Sequence, residues 1–404
     1  MRILYITPYV PSPIRVRPYH LLLNLARAGH EVTLLAAGEA DPTVDGRALA
    51  ALEAAGIETH RVVVPRLRAY LQSLGALLRR QPMQAHYSVD GRVAARMLAL
   101  LEAQPFDVVH IEHLRASRLV EALPPSQPTL YDAVDCIALL FEQAMRGSRS
   151  LKSRLITRLE LEPTRRYEAR LLARFRQVVV TSSRDKAALE ALAARYLPPG
   201  TPTAPVTVIT NGVDSDYFHP LPVEPEGRTV VFSGKMSYHA NVAAAHYFVE
   251  EVLPRLWEWD ASVRFLIVGK DPPESLRALG RDPRIEVTGY VEDLRPWLAR
   301  AAVAVCPVRY AVGIQSKVLE ALAMERPVVA TPAAMGGLHP DAQEVVLVGR
   351  DGAEFAEAVR RLLADPQEAR RRGEAGRRYV LRHHSWPRSV ERLVARYEAA
   401  LSSS

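Results

Sequence analysis

The sequence predicts an α/β protein of two doubly wound domains, and three observations carry that reading. The chain has 404 residues, too many for one ordinary core and suited to two domains of about 200 residues each. Short apolar runs alternate with longer amphipathic stretches, the signature of parallel strands covered by helices. The series breaks once, at the Pro- and Thr-rich stretch "RYLPPGTPTAPVTVI" (195–209), and then begins again. Residues 1–203 are therefore expected as the first domain and 204–384 as the second, followed by a closing amphipathic helix within 385–404.

The first series opens with "RILYI" (2–6) and continues with "EVTLLAA" (31–37), "ETHRVVV" (58–64), "DVVHIEH" (107–113), "PTLYDAV" (128–134) and "QVVVTSS" (177–183). Between these strands, stretches such as "PYHLLLNLARAGH" (18–30) repeat apolar residues at helical spacing, and Gly29 follows the last of them as a helix terminator would. The second series runs "RTVVFSGK" (228–235), "SVRFLIVGK" (262–270), "IEVTGYV" (285–291), "AAVAVCPV" (301–308), "RPVVATP" (326–332) and "EVVLVG" (344–349). Doubly wound sheets bind ligands at the carboxyl ends of their strands, so a cleft between the domains is the expected site.

Apolar residues at 48% and charged residues at 24% describe an ordinary globular protein and exclude disorder for the bulk of the chain. A formal net charge of +7 suits anionic partners, namely phosphorylated ligands, acidic lipid surfaces or nucleic acid; a solvated, arginine-rich surface explains it equally well. Nucleic acid has only the charge behind it, with no basic patch interleaved with aromatics, and is not expected as a partner. Only five of the 52 basic residues are lysine: Lys152, Lys186, Lys235, Lys270 and Lys317. Two cysteines, Cys136 and Cys306, offer neither a disulfide framework nor metal spacing and fit a reducing compartment. With no signal peptide and no apolar span, the expectation is a cytoplasmic protein, with peripheral contact on the inner face of the cell membrane as an option.

In the second series Ser233 and Gly234 let the backbone turn tightly at the end of a strand, and Lys235 then stands at its carboxyl end, where a diphosphate would meet its ammonium. Gly313 precedes a helix whose apolar residues are Val318, Leu319, Leu322 and Ala323. The free amides of its first turn make an anion site that Lys317 reinforces. Glu320, three residues on, shares the helix face and can accept from a ribose diol; a plain intrahelical ion pair with Lys317 is the alternative. The "DSD" at 214–216 reads as turn chemistry in which Asp214 caps its own backbone, not as a metal motif.

These residues carry a resemblance. "VITNGVDSDYFHP", "VVFSGKMSYHAN", "FLIVGKDPP", "VTGYVEDL" and "GIQSKVLEALAMERPVVATPAAMGGL" resemble, in that order, the landmarks of family-four retaining glycosyltransferases of the GT-B fold, two Rossmann-like domains facing across a cleft. The likeness covers most of residues 206–345 and the first half more loosely. It implies a nucleotide-sugar donor, UDP- or GDP-linked, bound by Gly234, Lys235, Gly313, Ile314, Gln315 and Lys317 around the diphosphate. It places Glu320 on the ribose, and the stretch from Gly289 to Val291 along the base, largely through backbone groups. It also implies that the last helix packs back on the first domain, that no cofactor or metal is required, and that the sugar moves with retention.

Three departures stand out. Where many members carry a first glutamate this chain has Val312, the form of a subgroup linked to exopolysaccharide assembly. Glu325 occupies the place of a helix-terminating glycine, and Ala334 replaces another glycine. They keep open a non-catalytic nucleotide-sugar binding subunit of a polysaccharide assembly complex, whereas the absent first glutamate weakens the other alternative, a sugar-nucleotide epimerase of the same fold.

In the first series "DVVHIEH" ends in Glu112 and His113, either of which could orient a sugar hydroxyl or take up a proton, while His110 deeper in the strand reads as structural. Asp132 and Asp135 stand at the carboxyl end of "PTLYDAV", and one of these carboxylates is expected to hold an acceptor hydroxyl; for Asp135, capping of the next helix is the alternative. The loop "TPYVPSPIRVRPYH" (7–20) lacks phosphate-cradling glycines; its prolines stiffen it, and Arg15 and Arg17 are expected to supply side-chain contacts to a diphosphate or an anionic acceptor. "PRLRAYLQSLGALLRRQP" (65–82), with Arg66, Arg68, Arg79 and Arg80 at its ends, is a basic amphipathic helix that either packs on its own domain or approaches a membrane carrying a saccharide or polyprenyl-linked acceptor. The arginine-dense stretch 146–176 is expected as a mobile, lipid-facing or gating helix.

Overall fold

The computed structural model describes residues 1–13, 15–38, 45–78, 81–147, 151–310 and 313–402. Seven strands form the first sheet: β1 (Arg2–Thr7), β2 (Glu31–Gly38), β3 (Glu58–Val63), β4 (Val108–Glu112), β5 (Thr129–Val134), β6 (Gln177–Val180) and β7 (Val206–Val208). Six form the second: β8 (Thr229–Ser233), β9 (Arg264–Val268), β10 (Ile285–Gly289), β11 (Val303–Cys306), β12 (Val328–Ala330) and β13 (Val346–Val348). All strand pairs are parallel. β4, β6, β8 and β11 are buried from end to end, which is why they are mainly apolar, although β4 also carries His110 and Glu112 into the core.

The strand orders are β3-β2-β1-β4-β5-β6-β7 and β10-β9-β8-β11-β12-β13. Each sheet winds outward in one direction from its first strand and then returns to wind in the other, so each has a switch point, between β1 and β4 and between β8 and β11. At the carboxyl ends of these pairs the connecting loops part and leave room for a ligand.

The chain divides into two compact units, Met1–Thr210 with Ser389–Ser404, and Asn211–Arg388. The boundary expected after residue 203 falls short of β7, which belongs to the first sheet: Val206 to Val208 pair with Val178 to Val180. Two prolines upstream made this strand read as linker. The final helix runs from Trp386 to Ser402, and its part from Ser389 onward belongs to the first unit.

The helix Leu151–Leu172 is not a surface gate along its carboxyl half. Leu161, Tyr167, Ala169, Leu171 and Leu172 are buried, and the Glu168 carboxylate accepts from the amides of Ile137 (2.7 Å) and Ala138 (3.0 Å) at the start of the helix Ile137–Gly147. On the helix Arg66–Leu78, Leu67 and Tyr70 are 72% and 63% exposed. Arg79, Arg80 and Val312, and the side chains of Arg66, Arg68, Leu71, Leu74, Leu77 and Leu78, lie outside the described residues. Among the described residues no helix is long and apolar enough to cross a membrane.

Candidate active site

Two strand ends of the first unit present chemistry to solvent. His113 follows β4 with φ +67, a left-handed conformation that turns its side chain out of the strand. Its amide donates to the Asp132 carbonyl (2.7 Å) and its Nδ1 accepts from the Arg115 amide (3.2 Å), so Nε2 carries the proton. Burial and Arg115 depress its pKa to about 4, so at neutral pH His113 offers a hydrogen-bond donor and is a poor base.

Asp135 follows β5, partly exposed, and accepts from the Thr181 hydroxyl (3.3 Å). Burial, and then Asp185, raise its pKa to about 6. The capping alternative does not hold. The amides at the start of the next helix are taken by Asp185, on Cys136 (2.9 Å), and by Glu168, on Ile137 and Ala138. Asp135 keeps its carboxylate for another partner.

Glu112 and Arg17 are corrected by the structure. Glu112 is fully buried, accepting from the hydroxyls of Tyr5 (2.9 Å) and Tyr9 (2.6 Å), and cannot touch a substrate. Arg17 does not line a lip: its Nε and Nη2 meet Asp132 Oδ2 at 2.9 and 2.8 Å, and Nη1 donates to the Ile209 carbonyl (3.0 Å). A guanidinium entering the core needs a carboxylate, and the partner lies 115 residues along the chain. His110 is structural, stacked on Tyr5 at 3.9 Å and bonded through Nδ1 to the Tyr397 hydroxyl (2.7 Å). Arg15 stays exposed, its guanidinium 4.4 Å from the centre of the Tyr9 ring.

The second unit gathers its predicted residues at the β8/β11 switch point. Gly234 has φ +149, and a Cβ there would meet Asn241 Nδ2 at 2.9 Å and Lys317 Cε at 3.2 Å. Lys317, in the first turn of the helix Ser316–Ala323, donates to Asn241 Oδ1 (3.2 Å) and Gln315 Oε1 (3.3 Å). It reaches across to β8's end and does not pair with Glu320, so the intrahelical ion pair is not what this face is for. No side chain caps that helix's first turn, which leaves its leading amides for a ligand. Glu320 is half-buried, and desolvation raises its pKa to about 7, with Lys317 acting against the rise. Gly313, with φ +66, is backed by Gly337, where a Cβ would stand 2.7 Å from the Gly313 carbonyl oxygen. Ile314 and Gln315 are half-buried beside it, and Lys235 is exposed. Gly289 (φ +72) ends β10 next to half-buried Val291. As expected, the Asp214 carboxylate accepts from the amides of Asp216 (3.2 Å) and Tyr217 (3.0 Å).

Two protein-family models match this chain in succession. Residues 14–212 match the model described as "Glycosyl transferase 4-like domain", and residues 227–365 the one described as "Glycosyl transferases group 1". The chain belongs to the family-four glycosyltransferases. Its fold agrees. The chain superposes on sucrose-phosphate synthase from Thermosynechococcus elongatus with a TM-score of 0.65 at 18% identity and full coverage of both chains. It also superposes on Anabaena Alr3699/HepE in complex with UDP-glucose (TM-score 0.61, 15% identity, full coverage of both). Both chains share the GT-B fold.

Among curated proteins, the chain is 31% identical over 234 residues to an alpha-maltose-1-phosphate synthase of Mycobacterium tuberculosis, covering 48% of this chain and 56% of that protein. It is 29% identical over 205 residues to an MMP alpha-(1->4)-mannosyltransferase of Mycolicibacterium hassiacum, covering 48% of each. The chain thus spans about half the length of the curated relatives it matches.

Sequence reasoning left two side chains of the candidate site without a role. Asn241 fixes Lys317 and donates to the Lys235 carbonyl (2.9 Å); it stood in a quoted motif without a role. Tyr290, 73% exposed between Gly289 and Val291, offers a flat face beside the expected base position, and an aromatic flanked by a left-handed glycine was the available signal.

Proposed function

We propose that the protein transfers a hexose from a nucleoside diphosphate sugar, UDP- or GDP-linked, to a saccharide or polyprenyl-linked acceptor, with retention of configuration. The observation that carries this reading is Lys317, held by Asn241 and Gln315 against the Gly234 backbone in the first turn of a helix. An ammonium, free helix amides and a glycine surface without side chains together suit a diphosphate. Lys235 adds a second cation, and Glu320, one turn along, accepts from the ribose diol. With that charge in place the transfer needs no metal ion.

His113 donates to a sugar hydroxyl. Asp135 holds the acceptor hydroxyl as the glycosidic C–O bond breaks, and the departing diphosphate takes the proton. The curated relatives are named for alpha-linked products, in keeping with retention. The exposed Leu67 and Tyr70 support peripheral contact with the inner face of the cell membrane, where exopolysaccharide or glycolipid acceptors are built.

Calorimetric titration with UDP, GDP, ADP and dTDP, followed by their hexose conjugates, tests the reading. One nucleotide should bind, Lys317→Ala should weaken it at least tenfold, and NMR of the product should show the donor's anomeric configuration kept. Binding to none of the four overturns it. Binding without turnover, with cell membranes supplied, points instead to a non-catalytic binding subunit.

A further inference from the structure

One cluster outside the residues assigned above gathers metal-ligating chemistry. His339 and Asp341 lie between the short helices Pro332–Met335 and Ala342–Val345, and His383 closes the long helix Pro366–His383. One ligand atom from each lies within 4.8 Å of the others. Asp341 sits between the imidazoles, with Oδ2 2.9 Å from His383 Nε2 and Oδ1 3.3 Å from His339 Nδ1. The two rings stack at 3.9 Å with 13° between their planes.

The Asp341 amide reaches His339 Nδ1 at 3.4 Å within the cluster, and the surrounding bonds hold the two segments together. The Tyr379 hydroxyl donates to the His339 carbonyl (3.3 Å) and meets His384 Nε2 at 2.7 Å, and the His339 amide points to the same nitrogen at 3.4 Å. The backbone of one ligand is thereby tied to the helix that carries another. Access is also built in. The side chains of His339 and Asp341 are 40% and 43% exposed, whereas His383 at 11% is the anchored member.

We propose that His339, Asp341 and His383 bind a divalent late first-row transition-metal ion, of which zinc is the type. Two imidazoles and a carboxylate suit zinc, nickel or copper, whereas magnesium and calcium want oxygen ligands throughout. Bonds of about 2.0–2.2 Å bring tetrahedral ligand atoms to roughly 3.3 Å apart, a contraction that rotation of the two exposed side chains supplies. A water completes the shell from the open side. The ion clips the segment after Pro332–Met335 to the long helix. His339 is two residues beyond Gly337, whose missing side chain lets it sit against Gly313 and Ile314. The metal therefore stiffens the support of that loop and takes no part in the transfer step.

The test uses the full-length, untagged protein after chelation and dialysis, titrated with zinc chloride in a calorimeter and with cobalt(II) in a spectrophotometer. One equivalent should bind, cobalt should give a visible d–d band, and excess magnesium should not compete. His339→Ala and Asp341→Asn, both at exposed positions, should keep the circular dichroism of the parent and each weaken zinc binding at least tenfold. The absence of saturable binding, or one-equivalent binding that both variants leave unchanged, overturns the proposal.

Discussion

Asp132 shows how one buried residue decides the state of another. Arg17 brings a single positive charge into the core of the first unit, where Asp132 contacts it directly and Glu112 lies close enough to be repelled by Asp132. One ionised carboxylate balances the guanidinium, and a second would be an uncompensated charge in a region that water does not reach. Burial first, and then Asp132, push Glu112 up to about 7, while the two tyrosine hydroxyls act against the rise. A carboxyl group whose folded pKa is raised contributes its stability in full below the unfolded value, near 4.5, and loses it as pH climbs toward 7. Glu112→Gln should therefore match the parent in thermal stability at pH 4.5 and exceed it progressively up to pH 8. The ceiling is about 3 kcal/mol, at roughly 1.4 kcal/mol per pH unit. A gap that does not widen with pH would show that Glu112 is ionised throughout. Asp135 titrates where it can be seen in catalysis. With its pKa raised to about 6, Asp135 loses below that pH the carboxylate that the proposed function assigns to the acceptor. kcat/KM should fall on the acid side of pH 6, and Asp135→Asn should lower the rate and flatten that limb.

At the scale of elements, the helix Ser316–Ala323 shows what local pattern reveals and what it hides. Its apolar residues and the Lys317/Glu320 face repeat at helical spacing, and the structure places them as that spacing requires. Strands such as β6 and β11 were equally legible, because a strand covered on both faces is apolar along almost its whole length. β7 was not, since three residues beside prolines carry no periodicity and exist as a strand only through pairing with β6. Arg17 was misread for a related reason. Nothing near it in sequence announces Asp132, and an arginine in a loop looks like a surface residue. The departure at Glu325 was visible as a missing glycine, and its φ of +56 gives the reason: the chain turns left-handed there as it leaves the helix. Glu325→Gly should gain about 0.5–1 kcal/mol in chemical denaturation, relief of that strain outweighing the added freedom of the unfolded chain. The crossing helix Pro366–His383 approaches at the same point. A Cβ on Gly373 would stand 2.0 Å from the Glu325 carbonyl oxygen, a backbone atom that cannot yield cheaply. Gly373→Ala should cost about 3 kcal/mol or more, and a neutral result would mean the helices can part there.

At the scale of the whole molecule, the covalent order of the chain and the division into units do not coincide. The chain leaves the first unit after Thr210 and returns to it at Ser389, so each unit has its own core but the first is completed only by the end of the chain. Val390, Leu393, Tyr397 and Ala400 of the returning helix are buried, the Arg176 guanidinium donates to the Ala400 carbonyl (3.1 Å), and Tyr397 is the partner of His110. Tyr397→Phe removes one buried hydrogen bond and should cost about 1–2 kcal/mol. Ending the chain at Arg388 removes the whole apolar face, at roughly 2 kcal/mol for each large side chain withdrawn, and should leave the first unit open to proteolysis at moderate temperature. The second unit carries Gly234, Asn241, Lys317 and Glu320 on its own strands and helices. On the proposed function, which gives His113 and Asp135 to the transfer step, the shortened chain should therefore retain nucleotide affinity within a few-fold of the parent while sugar transfer is lost. Calorimetry and limited proteolysis of the same preparation separate the two effects. If nucleotide affinity collapses together with the first unit, the donor site is not built by the second unit alone.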